Sequence, residues 1–526
     1  MSDVRKTMKK LRNSNATSYD DISVNDMKRA AKAINPMMLN LINQTFEESE
    51  YPENLKITKI LPNSKPGKNK LLTEGWRPIN NVPAISKPME RIMLEQIIEY
   101  MVRNHMINMF HHGNRKYYST QTLVVDIVDK LIMNLENDIE TVIGATDQSK
   151  AYNIICHDIL EGKLNIIGMS DEAIKLIMNF LKDRKQFVEV NAAASDVLIV
   201  GKRLVTQGSA LAGLLYQIFT LDIPELFHNT PHDIHEYDDC RETNISTFVD
   251  DAFPIFEKKP NMTMAESVQQ DMKTLKDYMD SNKLALNTDK TQLMLVSKDM
   301  NAKKDFAVEI NGKIIKHNNK IKIVGNTIND SLNYESMLTE GADSLLNQLK
   351  TRNRHLTYVC KYLDKDMKRK VVNAIFKGKI NFGIEQWGGA KKITIDLIDK
   401  EYKKATKTAL GYDYRDKTHS QRLRELKWLP LDKEIIFATH KATYKILNWK
   451  VPLKMSSIMK MNNNHMRIQS QRKLGTKPNI LNKNKLTRST FRNRAYRYNT
   501  LPALVTSSDN ISKFIKNLRA HMNRMH

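Results

Sequence analysis

Cysteine is nearly missing from this sequence: Cys156, Cys240 and Cys360 are all it has, far apart and without a CxxC pair. A disulfide framework and a cysteine-rich zinc knuckle are therefore not expected, and a reducing, intracellular compartment (cytoplasm and nucleus) is the default. Long apolar runs are missing too. The longest, LAGLLYQIF (211–219), is about half of the roughly 20 residues a membrane span needs. The basic N-terminus, MSDVRKTMKKLRN, leads into no apolar segment of the secretory kind, so no membrane partner is expected. Acids are scarce at one end. Residues 451–526 hold 16 Lys and Arg against a single acid, Asp509, and so carry +15 of the chain's formal +24.

The 526 residues are 41% hydrophobic and 27% charged, the balance of a folded protein. At roughly 100–200 residues per domain the length suits about three or four domains or subdomains. Concentrated positive charge points to a polyanion, because each neutralised phosphate releases condensed counterions. In FRNRAYRY, Phe491, Tyr496 and Tyr498 alternate with Arg492, Arg494 and Arg497, a mixture suited to backbone contact plus base stacking. The alternative is a solvated basic tail.

Apolar spacing predicts helices over 22–50, broken at Pro36, and over 86–104. Between them ITKIL, SKPGKN and WRPI read as a hairpin carrying exposed basic residues. From 138 onward short apolar runs alternate with helices: TVIGAT, helices 157–167 and 171–183, FVEV, VLIV, helix 208–221, ISTFV, AFPIF, helix 263–281, LMLV and KIIK. This predicts an α+β sheet with helices on one face. From about 338 to 450 the pattern is nearly all helix. Domain boundaries are expected near 120, 330 and 450.

Asp147 follows the strand-like 142–146, and Asp250 and Asp251 stand between ISTFV and AFPIF. Such a pair favours a tight hairpin with both carboxylates at its tip. Adjacent acids repel, so a hard divalent ion with oxygen ligands is a natural counter-charge; a solvated turn is the plainer alternative. A second acidic pair, Asp238-Asp239, lacks flanking strands and reads as loop.

In order, the chain holds LPNSKPGKN, WRPINNVPAISKPMERI, GNRKYYSTQT, ATDQSKAYNIICHDIL, VTQGSALAGLLYQIFTLDI, FVDD, NKLALNTDKTQLML and KIVGNTINDSLNY. This resembles the reverse transcriptase domain of non-LTR (LINE-type) retrotransposons, with its polymerase motifs in order and spacing. INFGIEQWGG and STFRNRAYRYNTLPAL resemble the regions that follow the polymerase in such elements, so the resemblance covers nearly the whole chain. It implies a right-hand polymerase, α+β: N-terminal helices and fingers (1–120), a palm with an antiparallel sheet and an Asp-Asp hairpin (121–330), a helical thumb and connection (331–450), and a helical basic nucleic-acid-binding segment (451–526). Only about 50 residues precede the fingers motif. The N-terminal endonuclease that such elements often encode is therefore expected to be absent, the chain being either a truncated product or one whose target cleavage is supplied by a separate endonuclease.

The resemblance further implies that Asp147, Asp250 and Asp251 hold two Mg²⁺ ions, Mn²⁺ being the alternative, for nucleotidyl transfer from dNTPs to a DNA primer or target DNA on an RNA template. Lys65 and Arg77 would contact the nucleotide's phosphates. Tyr152, five residues after Asp147, would sit under the sugar and exclude a 2′-hydroxyl. Gln207 and Gly208, of the QGS motif, would line the template and nucleotide, with Ser209 capping the helix. Lys290 would protonate pyrophosphate, and Gly325 would form the primer-grip turn. Surface charge for Lys65, Arg77 and Lys290, and core packing for Tyr152, are the plainer alternatives. The sequence departs from the family at Asn153, where an acid is usual, at Ala212-Gly213 and at a missing tryptophan near Tyr278, none of which removes an expected metal ligand. An RNA-dependent RNA polymerase and a catalytically inactive RNA-binding relic are the competing functions.

Overall fold

A computed structural model of the chain describes all residues except 66, 107–109, 114, 116, 147–153, 192, 202, 204, 206, 207, 228–244, 450–490, 525 and 526. The strands, in chain order, are β1 (Ile57–Ser64), β2 (Trp76–Asn81), β3 (Thr141–Ala145), β4 (Lys185–Val190), β5 (Ala193–Ala194), β6 (Leu198–Ile199), β7 (Ile245–Phe248), β8 (Asp251–Glu257), β9 (Gln292–Val296), β10 (Ala307–Ile310), β11 (Lys313–Lys316), β12 (Lys320–Ile323) and β13 (Asn326–Asn329). They fall into two compact units, each assembled from separate stretches of chain. The α+β expectation holds in both.

The first unit takes Met1–Asn114, Asp147–Phe227 and Lys273–Asn287. Its sheet runs β2-β1-β4-β5, with β6 on β4. β1 and β2 form the expected antiparallel hairpin, from Lys59 opposite Asn81 to Ser64 opposite Trp76. β1 also pairs parallel with β4. The expected break at Pro36 does not occur. The chain breaks instead at Ala30, between helices Val24–Arg29 and Ala31–Glu48, and Pro36 lies inside the second. A helix-interior proline forfeits one hydrogen bond, here offset by burial of Met38, Ile42 and Thr45. Helix Ser86–Arg103 forms where expected. From this helix the Tyr100 hydroxyl, with its one proton, lies within hydrogen-bond reach of the carbonyls of Ile167 and Gly168, at 2.8 and 2.6 Å.

The second unit takes Arg115–Thr146, His228–Met272 and Thr288–His526. Its main sheet, β7-β8-β3-β9, is antiparallel throughout. Helix Thr120–Glu136 starts at a capping box, with Thr122 N donating to Ser119 Oγ at 3.3 Å and Ser119 N to Thr122 Oγ1 at 2.9 Å. It lays Leu123, Ile127, Leu131 and Ile132 on Ile143, Phe253, Ile255 and Met294 of the sheet. Alternation along the strands supplies that apolar face.

From 345 to 449 the unit is helical, as expected. Ser344, Asp364 and Thr418 cap three of these helices by accepting from backbone N–H groups. Phe376, Trp387, Tyr402 and Trp428 are central to their core, and Tyr402 Oη donates to Leu429 O at 3.0 Å. The C-terminal helix Ile511–Arg524 packs on helix Leu431–Trp449, with the rings of Phe514 and Tyr444 stacked at 4.2 Å. Among the described residues no helix is long and apolar enough to cross a membrane.

Candidate active site

The β7 and β8 runs pair directly: Phe248 opposes Asp251, leaving Val249 and Asp250 as a two-residue turn. Val249 has φ +59°, a region that β-branched residues avoid. Positive φ at the first turn position and not the second is the pattern of a type II′ turn, whose twist suits a hairpin. Asp250 and Asp251 are both half-buried. Beside them, Thr146 is bridged to Ala252 by N–H donation in both directions, at 3.0 and 3.3 Å, and by Thr146 Oγ1 donating to Ala252 O at 3.0 Å. The residue immediately before Asp147 is thus held against the residue immediately after Asp251. Asp147 itself, with Tyr152 and Gln207, lies outside the described residues.

Lys290 is exposed two residues ahead of β9, whose Gln292 opposes Ala145. The start of β9, the end of β3 and the start of β8 therefore share one end of the sheet, with β9 two strands, about 10 Å, from β8. The neighbouring Asp289 accepts from Lys313 Nζ at 2.8 Å, which lowers its pKa below the ordinary value. At the tip of the β12–β13 hairpin, Val324 and Gly325 both have positive φ (+38° and +91°), as a type I′ turn demands. A Cβ on Gly325 would lie 3.4 Å from the Phe382 ring.

In the first unit Arg77 is exposed on β2, opposite Asn63, and the half-buried Lys65 donates its N–H to Gly75 O at 2.8 Å. Gly208 has φ +105°, and a Cβ there would stand 2.8 Å from Asn80 O, three residues along β2 from Arg77. The structure thus brings Gly208 beside the basic hairpin. Helix Ala212–Phe219 begins later than expected and has no side-chain cap. Ser209 Oγ instead accepts from Leu211 N at 3.1 Å and donates to Glu90 Oε2 at 2.7 Å, because the buried carboxylate is the stronger acceptor. Sequence reasoning passed over Glu90. Its signal was an acid on the buried side of a helix, among Met89, Ile92 and Met93.

The expected nucleic-acid interface at 491–498 is largely core. Phe491 and Tyr498 are buried with Phe437, Tyr444 and Phe514, so neither ring is offered for stacking. Arg494 donates to Thr439 Oγ1 at 3.2 Å, Gln386 O at 3.1 Å and Glu385 O. Its guanidinium is turned inward to backbone carbonyls of the short helix Ile384–Trp387, and burial lowers its pKa. Arg497 is exposed, and the side chains of Arg492 and Tyr496 lie outside the described residues.

Among the described residues no three His, Cys, Asp or Glu side chains are grouped to hold a metal. Asp250 and Asp251 supply an oxygen-only pair at the sheet end next to Thr146, a donor set suited to Mg²⁺ or Mn²⁺ rather than to softer ions.

Residues 64–328, just over half of the chain, match the family described as reverse transcriptase (RNA-dependent DNA polymerase). The RNA-directed DNA polymerase from mobile element jockey of Drosophila funebris is 23% identical over 402 residues, 76% of this chain and 42% of that protein. Its Drosophila melanogaster counterpart is 22% identical over 362 residues, 68% of this chain and 38% of that protein. The chain thus spans about two fifths of the length of these relatives. Among solved structures, apo telomerase from Candida tropicalis aligns with 80% of this chain and 71% of its own, at 12% identity and a TM-score of 0.38.

Proposed function

The chain belongs to the reverse transcriptase (RNA-dependent DNA polymerase) family, and from that premise we propose that it extends a DNA primer on an RNA template with dNTPs, as the polymerase of a non-LTR element. The observation that carries this reading is the two-residue hairpin that displays Asp250 and Asp251 at the sheet end where Thr146 delivers the chain to Asp147. These three carboxylates would hold two divalent ions, Mg²⁺ or Mn²⁺. When bound, such ions lower the pKa of a primer 3′-hydroxyl and neutralise charge on the nucleotide's phosphates.

The remaining residues position and discriminate. Arg77, exposed on β2, and Lys65 bind phosphate oxygens, Arg77 with its two-pronged guanidinium. Gly208 lets the backbone come close to β2, beside Gln207. Tyr152 rejects a 2′-hydroxyl and so selects deoxynucleotides. Lys290, at the same sheet end as the carboxylates, delivers a proton to pyrophosphate. Gly325 shapes the turn that grips the primer, and Arg497, exposed, contacts the nucleic-acid backbone with the basic residues of 451–490.

Primer extension on an RNA template with Mg²⁺ and dNTPs tests the reading. Incorporation by the wild type and its loss in Asp250→Asn are expected. Full activity in Asp250→Asn, or none in the wild type, overturns it. Preference for ribonucleotides selects an RNA-dependent RNA polymerase instead, whereas ribonucleotide use gained in Tyr152→Val supports the DNA product.

A further inference from the structure

We propose that Glu90 is a positioning residue that sets the affinity for the incoming nucleotide by clamping the turn at 208–210, an inference that rests on the polymerase reading above. Glu90 is fully enclosed, with 0% exposure. Its Oε2 accepts two hydrogen bonds from the turn, from Ser209 Oγ at 2.7 Å and from Ala210 N at 2.8 Å. Across the turn, Gly208 lies so close to β2 that only the absence of a side chain admits it: a Cβ there would stand 2.8 Å from Asn80 O. The turn is therefore held between a strand backbone and a carboxylate.

A buried carboxylate is a costly way to hold a loop unless its strength as an acceptor is needed. Arg184, itself 1% exposed, is an electrostatic neighbour of Glu90, donates to Phe180 O at 3.1 Å and stacks on the Phe180 ring at 4.7 Å. Arg184 immediately precedes β4, which pairs with β1, and β1 pairs with β2. Strand β2 and helix Ser86–Arg103, which carries Glu90, thus both hold the same turn. Loosening the clamp lets residues 208–210 sample positions that do not meet the nucleotide, which weakens binding without altering the carboxylates of the chemical step.

The test uses the full chain with Ser209→Ala, which removes one donor and leaves both the Glu90 and Arg184 charges in place, beside Glu90→Gln. Steady-state nucleotide kinetics on a primer–template and amide hydrogen exchange at Ala210 are read together. In Ser209→Ala the nucleotide KM is expected to rise by about tenfold, the scale of a hydrogen bond to a charged group, with kcat and thermal midpoint near wild type and faster Ala210 exchange. Glu90→Gln should shift KM the same way. An unchanged KM in Ser209→Ala, or loss of kcat in proportion to active protein at constant KM, overturns the proposal. If the wild type incorporates no nucleotide, the polymerase reading and the KM claim both fall. Ala210 exchange then decides separately whether the clamp exists.

Discussion

Gly144 and Pro254 face each other across the β3–β8 ladder, where a Cβ on Gly144 would stand 2.9 Å from Pro254 Cγ. The ladder registers Ile143 with Ile255, lapses at this pair, and resumes at the Thr146–Ala252 bridge. Proline has no N–H to donate in a strand flanked on both sides, and glycine gives its ring room.

Gly144→Ala should therefore push β8 away from β3 and displace Asp251. A loss of about 1–3 kcal/mol in urea unfolding is expected from overpacking, with a fall in kcat beyond what stability explains. Pro254→Ala in the same chain should recover much of both, because it removes the obstructing ring. Additive losses in the double variant would contradict this.

Arg494 and Arg497 should separate structure from binding. Arg494→Met removes the guanidinium's bonds to Thr439 Oγ1 and to the carbonyls of Glu385 and Gln386, at a cost of about 2–3 kcal/mol. The salt slope of nucleic-acid affinity should not change. Arg497→Ala should leave the unfolding midpoint in place and reduce that slope by about 1. Filter binding across a salt series, with urea unfolding, reads both.

His440 should make stability fall in mild acid. It is 3% exposed, and burial first, then Arg497 and His521, lower its pKa from 6.5 to about 4. As pH drops below 6.5 the unfolded chain takes up the proton and the folded chain does not. Stability therefore declines between about pH 6.5 and 4, by about 3 kcal/mol for this group, and the loss levels off below pH 4. His440→Leu should flatten that part of the profile in urea unfolding at stepped pH.

Much of the architecture was legible because it rests on local rules. The β1–β2 and β7–β8 hairpins, helix Ser86–Arg103 and the helices after 345 follow from periodicity and caps. Local rules misread Pro36, where burial of one helix face outweighed a missing hydrogen bond, and the start of helix Ala212–Phe219, where Glu90, 119 residues before Ser209 in the chain, captured the hydroxyl. FRNRAYRY misled for a related reason. An aromatic beside an arginine looks the same whether the ring meets a base or a core, and Phe491 and Tyr498 meet Phe437, Tyr444 and Phe514.

By itself the sequence determined the order of the motifs, the α+β class and the placing of Asp250 and Asp251 in a hairpin tip, because turn chemistry and strand alternation act over a few residues. Only the tertiary structure decided which charges face inward. Arg494 reads as a nucleic-acid contact in one dimension and Glu90 draws no reading at all, and their partners come from distant stretches of chain that meet only when each core closes. A charge taken out of water must find compensation wherever packing supplies it.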